Sequence, residues 1–195
     1  MLKVVYTMSL EEQKALVAEI KAALKECPLV RKQMPTGPHF KYLCANLGEL
    51  GWHSDLKGYR YQKEHPKTGL PFPAIPAGLL ALTEKIKTLA SEPTFTPESC
   101  LVNFYGIGDS VGLHQDKTEK NLKPMIISVS LGCSGNFLVK GRDPEKMVLE
   151  SGQALVMSGD DRLCRHSMTG IIPGTGPSIG LKPDMRMNLT IRQVN

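Results

Sequence analysis

The stretch R-M-N-L-T-I-R, Arg186 to Arg192, decides how this chain is read. In an extended strand successive side chains point to opposite faces, so Arg186, Asn188, Thr190 and Arg192 share one face. Met187, Leu189 and Ile191 take the other. Two arginines and two hydrogen-bonding groups aimed the same way do not build an apolar core. If that face turns inward it must meet an anion, because an unpaired buried charge is strongly unfavourable. Guanidinium forks pair bidentately with carboxylate or phosphate, which makes a small dianion the natural guest. On an edge strand the same residues would simply face water.

Upstream, L-V-N-F-Y-G-I-G-D-S-V-G-L-H-Q-D runs from Leu101 to Asp116. Asn103 and Tyr105 alternate on an expected strand, and a glycine-rich turn follows. His114 and Asp116 lie two apart, on one face of an extended segment. An imidazole and a carboxylate from one strand, with a second histidine from elsewhere, form the facial triad of non-haem Fe(II) oxygenases, which leaves coordination positions open for substrate and oxygen. The second histidine must be His39, His53, His65 or His166. We choose His166, in R-L-C-R-H-S-M, because its short extended segment shortly precedes the arginine strand. Either piece alone is weak, since a His-x-Asp pair or a lone histidine is most often structural. Together they describe an enzyme that binds iron and an organic dicarboxylate.

The order N-F-Y, H-Q-D, a later histidine and R-x-N-x-T-x-R resembles the signature of the AlkB-type 2-oxoglutarate and Fe(II)-dependent dioxygenases, oxidative demethylases of alkylated nucleic-acid bases. P-M-I-I-S-V-S-L-G (Pro124 to Gly132) resembles the strand that follows their first two ligands. G-W-H-S-D-L-K-G-Y-R-Y (Gly51 to Tyr61) is similar to their substrate-recognition segment, and P-F-P-A-I-P (Pro71 to Pro76) to the stretch after it. The resemblance spans roughly residues 40 to 195. It implies that His114, Asp116 and His166 hold Fe(II). Arg186, with Tyr105 and Asn188, would receive the far carboxylate of 2-oxoglutarate; Arg192 and Asn103 would lie near its metal-chelating end. Trp52 would stack on a flipped base against His114, and Tyr59 would contact the nucleic-acid backbone. The reaction would consume O2 and 2-oxoglutarate and release succinate, carbon dioxide and formaldehyde from alkylated DNA or RNA. Two positions depart from the family. Thr118 stands where an acidic residue contacts the base edge, and Met157 stands where a tryptophan lies near the cosubstrate. Thr118 leaves open an AlkB-like action on methylated tRNA or a protein side chain. A non-catalytic cupin-like binding module is the reading from another class; it would have no need of three ligands and two arginines.

Composition sets the frame. A chain of 195 residues, 41% hydrophobic and 22% charged, suits a single soluble domain with a full core. No apolar run approaches a transmembrane length, and M-L-K-V-V-Y-T-M-S turns polar too early for a signal peptide. Cys27, Cys44, Cys100, Cys133 and Cys164 are odd in number and lack C-x-x-C spacing. Free thiols and Fe(II) both suit a reducing compartment, so a cytoplasmic monomer is expected. The net charge of +5 fits a phosphate-rich partner. Lys57 to Lys67 and Lys117 to Lys123 hold much of it and should flank the pocket.

The expected fold is mainly β with flanking helices (α+β), a double-stranded β-helix or jelly roll, forming one dioxygenase domain over 1–195. Residues 1–98 should hold the N-terminal helices and a recognition lid; residues 99–195 should form the catalytic core. Ser9 and Glu12 form a capping box that opens a helix with Leu16, Val17, Ile20 and Leu24 on its apolar stripe, closed by Pro28. A second helix should run from Pro76 to Ala90 with Leu79, Leu82, Ile86 and Leu89 buried. Residues 30–75 read as one long irregular region. Strands are expected near 100–105, 112–115, 125–131, 135–140, 146–150, 153–158, 164–168 and 186–193, with a loop from Gly170 to Pro183.

Overall fold

The computed structural model describes residues 2–140 and 145–195. Two antiparallel sheets face each other. The larger holds β1 (Leu2–Thr7), β10 (Gln153–Met157), β7 (Ile126–Gly132), β12 (Arg186–Arg192), β5 (Ser99–Tyr105) and β2 (Leu43–Gly48), in that order. The smaller holds β6 (Val111–His114), β11 (Arg165–Ile171), β8 (Gly135–Lys140) and β9 (Glu145–Leu149). A separate hairpin, β3 (Gly51–Asp55) with β4 (Gly58–Gln62), stands beside them. This is the expected jelly roll.

The arginine strand is central, not an edge. β12 pairs with β7 on one side and β5 on the other, and all seven of its residues are buried. Its alternation is resolved as the sequence predicts. Met187, Leu189 and Ile191 join a core with Leu16, Val17 and Ile20 of α1 (Leu10–Ala23) and Leu79, Leu82 and Ile86 of α2 (Ala77–Ala90). Each such fully buried aliphatic side chain contributes about 1.5–3 kcal/mol. The other face looks toward the smaller sheet, which closes on it through Phe137, Val139 and Leu149 packed with Leu155, and through Met168 and Ile171 packed with Tyr105. The polar face of β12 therefore lines the space between the sheets.

α1 opens on the expected capping box: Glu12 N–H donates to Ser9 Oγ at 3.2 Å and Ser9 N–H donates to Glu12 Oε2 at 2.7 Å. It ends at Ala23, where a short 3-10 turn takes over at Leu24. In α2 the buried stripe is Leu79, Leu82, Thr83 and Ile86; Leu89, expected inside, is 51% exposed. Thr83 fits the stripe because its hydroxyl donates back to Leu79 O at 2.8 Å. Residues 30–75 are not one irregular lid: β2 adds to the main sheet beside β5, and β3 and β4 form the hairpin. β1 was also unpredicted and extends the main sheet beyond β10. Among the described residues no helix is long and apolar enough to cross a membrane.

Candidate active site

Strand register assembles the site. β6 and β11 place His114 directly opposite His166, with ring centroids 4.3 Å apart. Asp116 follows two residues after His114, and one ligand atom from each of the three lies within 4.8 Å of the others. Among the described residues this is the group of histidines and acids fit to hold a metal. The hydrogen bonds point the same way. His114 Nδ1 lies 2.8 Å from Gly112 O, and His166 Nδ1 lies 3.1 Å from Cys164 O. A carbonyl only accepts, so each Nδ1 carries the hydrogen and each Nε2 keeps its lone pair for a metal. Phe137 stacks on His166 with centroids 5.4 Å apart, fixing the ring plane.

Arg192 donates from one terminal nitrogen to Asp116 Oδ2 at 2.7 Å, while Oδ1 lies 3.8 Å from His114 Nε2, on the side of the histidines. Burial opposes ionisation of Asp116, but Arg192 and the two histidines outweigh it and hold the carboxyl well below its usual range. Burial likewise pushes His166 down, which keeps the imidazole neutral and able to ligate.

The cosubstrate residues are cross-strand neighbours. Asn188 pairs in register with Asn103, and Arg186 with Tyr105. Arg186 is 2% exposed and donates to Cys133 O, Leu149 O and Ser130 Oγ at 3.2, 3.1 and 2.6 Å. None of these is an anion, and its Nε has no partner. Burial pushes the guanidinium down to about 10. Gly135 makes room for it, since a Cβ there would lie 2.9 Å from Arg186 Nε. Asn103 Oδ1 is also buried without a partner. Asn188 gives its amide hydrogens to Ser128 Oγ and Val129 O, and its Oδ1 accepts from Thr190. A buried cation without an anion, beside the three candidate ligands, fits a carboxylate whose other end reaches the metal. The three candidate ligands, together with Asn103, Tyr105, Arg186, Asn188 and Arg192, line one cavity of about 850 Å³, large enough for a cosubstrate and a base.

Trp52 and Tyr59, expected to meet the substrate, line the same cavity from β3 and β4. Their rings stack with centroids 5.6 Å apart and planes 17° apart. Trp52 Nε1 donates to Thr118 Oγ1 at 3.4 Å, and Phe40 stacks at 6.2 Å. Met157 lines the cavity as expected, with Cys164 Sγ 3.9 Å from its sulfur. Of the two basic stretches, Lys117 reaches the cavity, where Lys41 and Arg165 join it.

Three functional side chains escaped the sequence reading. Glu119 is 6% exposed; it lies 3.2 Å from Arg162 and 3.2 Å from Arg192, and accepts from Tyr61 Oη at 2.6 Å. Arg162 in turn donates to Asp116 O at 2.7 Å. Lys32, 3% exposed, donates to Trp52 O at 2.6 Å. The only signal for Glu119 is its place one residue after the position where an acid was expected. Nothing in the sequence singles out Arg162 or Lys32.

A jelly roll with two histidines, an aspartate and a buried arginine in one cavity defines an Fe(II)- and 2-oxoglutarate-dependent oxygenase. The 2OG-Fe(II) oxygenase superfamily matches residues 3–192, and the chain belongs to it, using Fe(II) and 2-oxoglutarate. Within that superfamily it belongs to the AlkB dioxygenases. It is 37% identical over 191 residues to the alpha-ketoglutarate-dependent dioxygenase AlkB homolog of Caulobacter vibrioides, covering 95% of this chain and 84% of that protein. Against AlkB of Escherichia coli K12 the identity is 36% over 182 residues, covering 91% and 83%. The solved structure of OsALKBH1 superposes with a TM-score of 0.81 at 25% identity, covering 99% of this chain and 100% of that one.

Proposed function

We propose that this dioxygenase oxidatively demethylates N-alkylated bases in DNA or RNA. The observation that carries the reading is the Trp52–Tyr59 stack at the cavity that holds the metal ligands, with Lys41, Lys117 and Arg165 beside it. Aromatic faces accept an unstacked base, and base–aromatic stacking contributes about 1–3 kcal/mol per base. Lysine and arginine beside it suit phosphates. The relatives agree in kind. One is the DNA N(6)-methyladenine demethylase ALKBH1A of Arabidopsis thaliana, 34% identical over 134 residues, although the match covers only 39% of that protein.

In this reading His114, Asp116 and His166 hold Fe(II). Arg186 pairs with the far carboxylate of 2-oxoglutarate, flanked by Tyr105 and Asn188. Arg192 fixes Asp116, and with Asn103 borders the chelating end. Trp52 stacks on the flipped base, Thr118 meets its edge and Tyr59 touches the backbone beside it. Iron and 2-oxoglutarate, when bound, would supply the oxidation of the N-methyl group by O2, with succinate, carbon dioxide and formaldehyde as the products. The chain's own residues orient the two partners and extract the base from its stack. The protein acts as one domain over 1–195, as a monomer in the cytoplasm, where its five free cysteines stay reduced.

The test is formaldehyde release from matched methylated DNA and RNA oligonucleotides with Fe(II), ascorbate and 2-oxoglutarate. Release that needs both cofactors and the methyl group is expected, and the DNA-to-RNA ratio names the substrate. Succinate formed without any release of formaldehyde would refute the base-demethylase reading and leave a working iron site.

A further inference from the structure

We infer that Lys32 is a specificity-determining residue whose charge, held behind Trp52, biases the base pocket against cationic methylated bases and toward neutral ones. The inference rests on the base-demethylase reading above. Lys32 Nζ lies 4.8 Å from the Trp52 ring centroid and is anchored on the Trp52 carbonyl, which Asn46 also engages at 3.0 Å. Among the described residues it has no carboxylate partner. The titratable and charged groups around it are the thiols of Cys44 and Cys27 and the guanidinium of Arg192, with His53 and His65 further off. Burial pushes its ammonium down to about 8, so the charge persists at pH 7.

A cation over an indole uses the negative face potential of the ring. A second cation laid on the same indole finds that potential partly spent and meets a like charge through an interior that screens poorly. At an effective dielectric of about 20, like charges about 8 Å apart disfavour binding on the order of tenfold or more. Among the described residues that line the cavity, no carboxylate is free to offset this. Asp116 is matched by Arg192 and turned to the metal ligands, and Glu119 is held by Arg162, Arg192 and Tyr61. Thr118 is uncharged, and its oxygen already accepts from Trp52 Nε1. Lys41, Lys117 and Arg165 attract phosphates but add the same sign of charge around the base. A neutral N-methylated base meets none of these penalties and keeps the full stacking energy.

The experiment compares kcat/KM for two oligonucleotides that carry isomeric bases, cationic 1-methyladenine and neutral N6-methyladenine, at pH 7. The full chain is loaded with Fe(II) and 2-oxoglutarate, and formaldehyde is read. Taking the ratio within one preparation cancels any loss of folded enzyme. Lys32→Met should raise the cationic-to-neutral ratio about tenfold, while Lys32→Arg, which restores the charge, should hold it within about twofold of the parent. A ratio unchanged in Lys32→Met, with formaldehyde still released, overturns the inference alone. An equal rise in both variants also overturns it, because the effect would follow shape and not charge. Absence of formaldehyde from every methylated oligonucleotide overturns the base-demethylase reading and this inference together.

Discussion

Arg186→Met isolates the role of the buried arginine. In the parent, burial lowers the guanidinium from 12.5 to about 10. At about 1.36 kcal/mol per pKa unit, holding that charge inside costs about 3 kcal/mol when no anion is bound. Methionine removes the cost and also removes three hydrogen bonds, to Cys133 O, Leu149 O and Ser130 Oγ. At about 1 kcal/mol each these roughly cancel the gain, so the ligand-free variant should unfold within about 2 kcal/mol of the parent. With 2-oxoglutarate the two should part. Truncating one partner of a buried charge pair costs about 2–5 kcal/mol, and about 2.8 kcal/mol within that range is two orders of magnitude in Kd. At a 2-oxoglutarate concentration of about 100 times the parent Kd, ligand stabilises the parent by about 2.7 kcal/mol but the variant by only about 0.4 kcal/mol. The assay is urea unfolding followed by circular dichroism, with Mn(II) in place of iron to prevent turnover, with and without 2-oxoglutarate. An equal ligand increment in both proteins would refute the assignment. A ligand-free loss above about 4 kcal/mol would show that Arg186 is a structural residue and not a receptor for the cosubstrate.

Five other substitutions probe the neighbouring side chains. His114→Ala should abolish Fe(II)-dependent succinate formation with little loss of stability, whereas Asp116→Ala should lose both, because it also takes from the buried Arg192 the nearer of its two carboxylates and leaves only Glu119, which Arg162 shares; persisting succinate in either variant would remove that residue from the metal site. Trp52→Ala should raise the KM for methylated oligonucleotide about tenfold or more and leave that for 2-oxoglutarate within twofold; equal values for both would end the stacking proposal. Glu119→Gln should destabilise by about 3 kcal/mol in urea unfolding, since it uncouples Arg162 and Arg192 at once, and a change under about 1 kcal/mol would count against the network. Lys32→Met tests the pH dependence. The parent lysine is lowered from 10.5 to about 8, so the unfolded chain binds more protons between these values and parent stability should rise with pH across that window, by up to about 3 kcal/mol relative to Lys32→Met. The difference in Tm between the two proteins at pH 7 and pH 10 checks this; a flat difference refutes it.

The parts of the fold that were legible are those where one face of a strand differs chemically from the other. In β12 the alternation of charge and aliphatic carbon is strict, so the sequence marks both the strand and its two environments. In β5, Asn103 and Tyr105 interrupt an apolar run at the same period, and His114 and Asp116 need only local spacing to meet. β2 carried no such mark: L-C-A-N-L-G is buried on both faces, and a strand covered on both sides shows no alternation. β3 and β4 were hidden for the opposite reason. Their glycines, charges and partly exposed faces look like loop, and pairing across the two-residue turn at Leu56 and Lys57 supplies the regularity. Leu89 misled by periodicity alone, because the helix stripe rotates to bury Thr83 instead.

The side chains that escaped notice share one property: each acts through a partner far away in sequence. Lys32 is 20 residues from Trp52, Arg162 is 43 from Glu119, and Tyr61 is 58 from Glu119. A composition or spacing rule sees Lys32 as one more surface lysine and Glu119 as one acid in a charged turn. The fold brings them together: the hairpin meets Lys32 through Trp52 and Glu119 through Tyr61, and Arg162 reaches Glu119 from the turn after β10. Burial then changes what they are, since an ammonium without a carboxylate and a carboxylate between two guanidiniums act through charge that water no longer screens. The chemistry common to the family was therefore written in local motifs, whereas the electrostatics that would separate one base from another resides in contacts the chain makes only when folded.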